Sequence, residues 1–334
     1  MIFVTGGTGL VGSHVLLRLS QDRKPFKALK RPSSSLSICE KLFLEYNQAD
    51  LFRKINWVDG DINDISLLEI AIEGCDYVLH CSGLVSFHSS DIELLKKVNI
   101  EGTANLMNVA LNSSVKKVGY ISSIAALGRN STEEIVDEDC YFTPTKLDSN
   151  YALSKYYAEQ EVWRASEEGL DVVIINPSVI LGPGDWNKGS SQIFQRIHKG
   201  LRFYSTGSTG YVDVVDVANC LIDLLFSDIK NERFIINGAN LKYRDMFDRI
   251  AENFGKPKAT IKVTPLLKEI AWRLESIRSF ISAKKPLITK ETANSAMINR
   301  SYSTNKVIKR IGFVFTDIDT TIKRYCKWYL KDLK

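Results

Sequence analysis

Eight residues near the start of the chain constrain its fold more than any other feature. Thr5-Gly6-Gly7-Thr8-Gly9-Leu10-Val11-Gly12 follows a short apolar run, Ile2–Thr5, and opens a helical pattern over residues 10–20. Two overlapping spacings are present, Gly7-x-Gly9-x-x-Gly12 and Gly6-x-x-Gly9-x-x-Gly12. A glycine turn between a strand and a helix lets backbone approach a pyrophosphate that a Cβ would obstruct. The helix start then offers free N–H groups and the positive end of its dipole. A glycine triplet alone marks only a tight turn. At the head of alternating strands and helices it predicts a dinucleotide site.

That alternation is present. β-rich runs at Ile2–Thr5, Phe26–Lys30, Asn56–Val58, Tyr77–His80, Lys117–Ser122 and Val172–Asn176 alternate with helical patterns near 10–20, 64–73, 91–111 and 150–168. Such a series builds βαβ units, and hence a doubly wound parallel α/β sheet of Rossmann type with helices on both faces. Beyond Pro177 the order loosens. Residues 189–199 and Val214–Phe226 read as helices, the latter capped by Asp213. Arg233–Asn237 reads as a strand, and Tyr243–Phe254 as a helix ended by Gly255. We divide the chain into a dinucleotide-binding domain, 1–176, and a smaller, mostly helical substrate-binding region, 177–334, part of which (about 211–237) returns to the sheet. Pro265 opens one more helix, with an apolar stripe of Leu266, Leu267, Ile270, Ala271, Leu274 and Ile277. The stripe predicts a buried face, with a membrane-surface helix as the alternative.

Composition excludes several classes. With 44% hydrophobic and 25% charged residues among 334, the chain is neither disordered nor fibrous. Its six cysteines are scattered without a C-x-x-C pair, and its four histidines lack ligand spacing, so no metal site or disulfide framework is expected. No apolar run reaches the ~18 residues of a membrane helix. The glycine turn begins too early to leave room for a signal peptide, so a cytoplasmic location is expected. Charge is uneven. Residues 1–255 carry a net −7 and residues 256–334 a net +12. The basic segment reads as solvated helix faces or as a site for an anionic ligand or acidic surface. No nucleic-acid-binding motif accompanies it.

The segment after the second strand bears on the cofactor. A site for NAD usually places an acid on the ribose hydroxyls about 20 residues past the glycines. Here the chain reads Lys27-Ala28-Leu29-Lys30-Arg31-Pro32-Ser33, without one. Arg31, helped by Lys30 and Ser33, suits a 2′-phosphate, which favours NADP and leaves NAD possible.

Tyr151-x-x-x-Lys155 puts a phenol and an ammonium on one helix face, where the cation can ease proton transfer by the phenol. With 13 tyrosines and 28 lysines, about one such pair arises by chance, and a second occurs at Tyr302 and Lys306. Position separates them. Ser123 stands just past the fifth strand, where open α/β sheets bind ligands, and the helix of Tyr151 follows.

Together these residues resemble the extended short-chain dehydrogenase/reductase family. Thr5 to Gly12, Asp61-Ile62, Val78 to Gly83, Asn99-x-x-Gly102-Thr103, Ser122-Ser123, Tyr151-x-x-x-Lys155, Asn176-Pro177-Ser178 with Gly182-Pro183-Gly184, and Tyr211 to Ala218 follow in the family's order. The resemblance implies that Thr5, Gly6, Gly9, Leu10, Val11 and Gly12 line the pyrophosphate, that Asp61 and Ile62 flank the adenine, and that Cys81, Ser82 and Gly83 meet the ribose and phosphates. Pro177 and Ser178 would lie near the nicotinamide. Tyr151 would be the general acid, Lys155 would lower its pKa and hold the nicotinamide ribose, and Ser123 would orient a carbonyl. Asn99 is expected to be structural, and His80 and His88 to pack rather than act as bases. Asn176 departs from the family's usual arginine. The Arg31 arrangement and Ser123-Ile124-Ala125 resemble dihydroflavonol 4-reductase-like and 3β-hydroxysteroid dehydrogenase-like members. The implied activity is NADPH-dependent reduction of a ketone or aldehyde on a small, ring-bearing substrate, with Leu84 to Phe87, Leu127, Trp186, Tyr204 and Tyr211 as candidate lining. The alternatives are an NAD-dependent nucleotide-sugar epimerase and a non-catalytic NADP-binding sensor. A homodimer is possible.

Overall fold

The structure, a computed structural model, describes residues 1–128, 135–145, 148–282 and 289–333; within the helix at 265–282 the side chains of 276–277 and 280–282 are not described. Seven strands form one sheet with neighbours in the order Glu232–Ile236, Asp171–Pro177, Lys117–Ile121, Tyr77–His80, Ile2–Thr5, Phe26–Lys30, Asn56–Asp59. All six pairings are parallel. The sequence pattern and the observed strands agree within a residue or two.

Parallel strands covered on both faces need apolar side chains in both directions. Val4, Val173 and Ile175 join one core with Leu16, Leu221 and Phe234. Their neighbours Phe3, Val172 and Ile174 join the other with Val118, Ala158 and Val162. Each such side chain is worth about 1.5–3 kcal/mol when fully buried. The helices Leu10–Gln21 and Val214–Leu225 cover the first face. Gly102–Leu111 and Asn150–Glu167 cover the second.

The helical pattern at 91–111 is interrupted. Between Ile92–Leu95 and Gly102–Leu111 lies a π-helical turn, Lys96–Glu101, which aims Asn99 inward. Residues 211–237 divide. Ser208–Asp213 pairs with Val179–Leu181 and Ala239–Lys242 in a small separate sheet, while Val214–Leu225 and Glu232–Ile236 belong to the main core. Helices at Ser37–Glu45 and Ala49–Arg53 fill the crossover before the third strand.

The C-terminal helix Ile318–Asp332 docks on the main unit through Asp213. This buried carboxylate caps Val215 and also accepts bonds from Thr321 (2.8 Å), Arg324 (3.1 Å) and Tyr325 (2.6 Å). Tyr329 packs edge-on against Trp186 and Phe254. Trp186 is therefore committed to this aromatic cluster. Gly255 ends its helix at φ +63, as the sequence implies.

The helix Pro265–Ser282 corrects one expectation. Leu266, Ile270 and Leu274 are exposed (71%, 44% and 61%) rather than buried, and no described side chain of this helix is fully buried. It packs on the short helix Lys290–Ser295, which covers only part of its circumference. The side chain of Ile277 lies outside the described residues. Among the described residues no helix is long and apolar enough to cross a membrane, and no His/Cys/Asp/Glu group could hold a metal ion.

Candidate active site

The glycine turn is built by exclusion. Gly6 has φ +72, and a Cβ there would lie 2.5 Å from the carbonyl carbon of Cys81. A Cβ on Gly12 would lie 2.1 Å from the carbonyl oxygen of Gly6. Ser13 braces the turn by donating to the carbonyls of Gly9 (2.6 Å) and Gly7 (3.2 Å). The helix starts at Leu10, and Gly9 caps it without any side chain, leaving the first-turn N–H groups open to a ligand. Leu10 reaches across to Gly182, where a Cβ would lie 2.9 Å from its Cδ1, and Val11 packs partly buried beside it.

Thr5 links the first strand to the segment that passes this turn. Its hydroxyl shares a hydrogen bond with His80 Nδ1 (2.8 Å) and accepts from the Ser82 N–H (3.3 Å). His80 Nε2 in turn meets Thr103 at 2.9 Å. Burial, reinforced by the charge of Lys155, lowers the His80 pKa to about 3, so the ring is neutral and structural. Burial also pushes the Cys81 thiol up to about 12, which excludes it as a nucleophile. Gly83 lies next to the helix Asn150–Glu167, its Cβ position 3.9 Å from Lys155 Nζ. Asn99 clamps the following residue, accepting from Leu84 N–H (2.7 Å) and donating to Leu84 O (3.0 Å) and Ser154 Oγ (2.9 Å). These bonds give Asn99 a structural role.

At the other end of the glycine turn, Lys30 is bound by Asp59 across neighbouring strands, which removes it as a helper for a 2′-phosphate. Arg31 is exposed at the strand end. Burial opposes ionisation of Asp61, but hydrogen bonds from Asn63 and the charges of Arg31 and Lys97 outweigh it, and the carboxyl titrates below its usual range. Ile62 is buried against Gly102.

Ser123 and Tyr151 meet beyond the carboxyl edge of the sheet. Burial raises the Tyr151 pKa, against the lowering by Lys155 that the family resemblance implies, and the neighbouring Ser123 side chain opposes that rise. Ser123 also accepts from the Ala125 N–H at 3.1 Å, which fixes its rotamer at the start of a short 3₁₀ turn. Phe87 packs edge-on against the Tyr151 ring, centroids 5.5 Å apart. Lys155 donates to Tyr120 Oη (2.7 Å) and to Ile121 O (2.8 Å), and burial lowers its pKa to about 7 against the pull of Glu159. The second Tyr-x-x-x-Lys pair is structural. Tyr302 is buried in a short strand and Lys306 pairs with Glu232 at 3.2 Å.

Sequence reasoning missed the layer beneath. Glu159 is 1% exposed and accepts from Ser122 Oγ (2.5 Å), Asn176 Nδ2 (2.8 Å), Trp163 Nε1 (3.3 Å) and Arg233 Nη1 (3.1 Å). Asn176 Nδ2 also reaches Ser123 O at 3.0 Å. The available signal was a glutamate one turn beyond Lys155 and two beyond Tyr151 on the same helix face. Pro177 ends its strand, and Ser178, held by its N–H on Ile236 O (3.0 Å), keeps a buried hydroxyl without a partner among the described residues.

A turn closed to a Cβ at Gly6 and Gly12, an uncapped helix start and an orphaned hydroxyl past the sheet edge together fit a dinucleotide. Comparison with known proteins agrees. The model of the NAD dependent epimerase/dehydratase family matches residues 2–236. A Synechocystis protein named as a dihydroflavonol 4-reductase is 27% identical over 98% of this chain and 94% of its own. Sterol demethylase protein B of Methylococcus capsulatus is 25% identical over 98% and 97%. The crystal structure of gox2253 superposes with a TM-score of 0.82 at 29% identity, covering 99% of this chain and 98% of that one. UDP-glucose 4-epimerase from Thermotoga maritima, at 20% identity and a TM-score of 0.78 over 100% and 99%, shares the fold. The chain belongs to the NAD dependent epimerase/dehydratase family, within the extended short-chain dehydrogenases/reductases, and is an NAD(P)-dependent oxidoreductase.

Proposed function

We propose that this chain reduces a ketone or aldehyde on a small, ring-bearing substrate with NADPH. The observation that carries the reading is the placement of the Ser123 and Tyr151 side chains side by side past the strand ends. When bound, the dinucleotide supplies a hydride. Its pyrophosphate would lie on the first turn after Gly9, its nicotinamide near Pro177 and Ser178, and its 2′-phosphate on Arg31. Ser123 and Tyr151 would both bond the carbonyl oxygen, and the Tyr151 hydroxyl would give up its proton as charge builds there. A phenol held protonated by burial suits an acid in the reducing direction. Lys155, anchored on Tyr120 and Ile121, would present its third N–H to the nicotinamide ribose. Phe87 supplies an aromatic wall beside the phenol. Similarity over almost the whole chain to proteins named as a dihydroflavonol reductase and a sterol-demethylating protein supports a ring-bearing carbonyl substrate.

The test is Tyr151→Phe, with NADPH binding followed separately by fluorescence. Turnover of a carbonyl panel drops at least about a hundredfold while cofactor affinity persists. Unchanged turnover removes Tyr151 from the mechanism.

A further inference from the structure

We propose that the guanidinium of Arg300 binds an oxyanion, a carboxylate or a phosphate, carried by the substrate. The inference rests on the reductase reading for the position of the carbonyl, and it adds the chemistry of the substrate's far end.

Arg300 belongs to a strap that closes over the small sheet. Ala296 O and Ile298 O accept from the N–H groups of Gly207 and Ser208, and Arg300 N–H is bound by both Ser208 O (3.2 Å) and Ser208 Oγ (3.0 Å). Gly207 permits this approach, because a Cβ there would lie 2.4 Å from Ile298 O. The backbone of Arg300 is therefore fixed. Its Nε and Nη2 are buried and have no hydrogen-bond partner among the described residues. A guanidinium stays charged at any physiological pH, and holding two of its nitrogens out of water without a partner costs free energy that an anion would offset. Glu291, the other unpartnered buried charge of this region, forms no ion pair with it among the described residues.

The surroundings point to a ligand rather than to a missing structural contact. The charge of Arg300 is felt by Tyr243, whose ring stands 6.5 Å from that of Tyr211. The Tyr211 hydroxyl is also buried without a partner, as is Ser178 Oγ. Ser208 and Tyr211 lie three residues apart on the strand Ser208–Asp213. Ser208 holds Arg300 at one end, and Tyr211 pairs with Val179, next to Ser178, three residues on. The net +12 of residues 256–334 adds a favourable field for an anion.

The probes are terephthalate, phenyl phosphate and neutral dimethyl terephthalate, titrated calorimetrically into protein saturated with NADPH so that the pyrophosphate site is filled. The wild type binds at least one anion more tightly than the neutral ester, and the stronger of the two identifies the oxyanion as carboxylate or phosphate. Arg300→Gln weakens that anion about thirtyfold or more and leaves the ester unchanged. Equal binding of anions and ester by the wild type, or an unchanged ratio in the variant, overturns the proposal. Retained NADPH binding verifies that the variant is folded. If it does not fold, Arg300→Lys replaces it. Loss of the planar fork weakens the anion about tenfold with the ester unchanged, and unchanged anion affinity overturns the proposal. NADPH consumption with 4-carboxybenzaldehyde, 4-formylphenyl phosphate and methyl 4-formylbenzoate is measured in parallel. Arg300-dependent binding without consumption of NADPH refutes the reductase reading and leaves the anion site standing.

Discussion

The ammonium of Lys155 donates to the phenol oxygen of Tyr120 at 2.7 Å and lies 4.5 Å from the centre of that ring. The bond ties the helix of Tyr151 to the strand that leads to Ser123. It also sets where the lysine charge is spent. Tyr120 and Ile121 take two of its three N–H groups, and the third would be left for the ribose in the proposed reaction.

This arrangement gives the reaction a pH dependence. Burial brings the Lys155 pKa down to about 7, so the amine loses its charge as pH rises through that value. The third N–H donor is stronger while the amine is charged. We expect kcat/KM to fall with rising pH through about 7, and Lys155→Arg to move that limb to higher pH because a guanidinium does not titrate there. Tyr120→Phe removes one acceptor and destabilises the protein by about 1–3 kcal/mol. A pH–rate profile and urea unfolding check both, and a flat profile from pH 6 to 9 would contradict the first.

The buried carboxylate beneath the site makes a second, separable prediction. Glu159 holds Ser122 and Asn176, and Asn176 holds the carbonyl of Ser123. Arg233 balances its charge and is itself held by Glu138 O (2.8 Å from Nε and 2.6 Å from Nη2). Glu159→Gln strands a buried guanidinium and lowers stability by about 3–5 kcal/mol. Removing both charges with Glu159→Gln and Arg233→Met recovers part of that loss, whereas independent sites would add their losses. Asn176→Ala frees the Ser123 loop and lowers kcat more than it raises KM. Urea unfolding and steady-state kinetics on the same four proteins distinguish these outcomes.

The sheet and the glycine turn were legible in the sequence because both are local. Short β-rich runs, a glycine-rich turn and a cap at Asp213 each depend on a few neighbouring residues. The Ser123–Tyr151 meeting was legible because strand order fixes which edge binds ligands. Arg233 was not legible, since its partners Glu138 and Glu159 lie 95 and 74 residues away in sequence. Asn176 looked like a defect in the family pattern. In the structure it takes a direct bond to Ser123, and a guanidinium from the neighbouring strand meets Glu159. The stripe at Leu266, Ile270 and Leu274 misled for the opposite reason, because periodicity says which side chains share a face and nothing of what covers it.

The proposed preference for NADPH turns on one side chain. Across from the end of the second strand lies Asp59, on the third, and it binds Lys30. Arg31 is left exposed, and the carboxylate that feels its charge, Asp61, is already satisfied by Asn63. Under the proposed NADPH reading, a 2′-phosphate there would gain a charge-assisted, planar contact that NADH cannot make. Arg31→Ala should therefore raise the Kd for NADPH about tenfold or more, in keeping with about 1.5–3 kcal/mol for a hydrogen bond to a charged group. The Kd for NADH should stay the same. Adding salt should narrow the wild-type preference, since the contact is exposed and screened. Fluorescence titration of both nucleotides into both proteins checks this. An equal loss for the two nucleotides would assign Arg31 to the common adenosine, and no loss for either would remove it from the site.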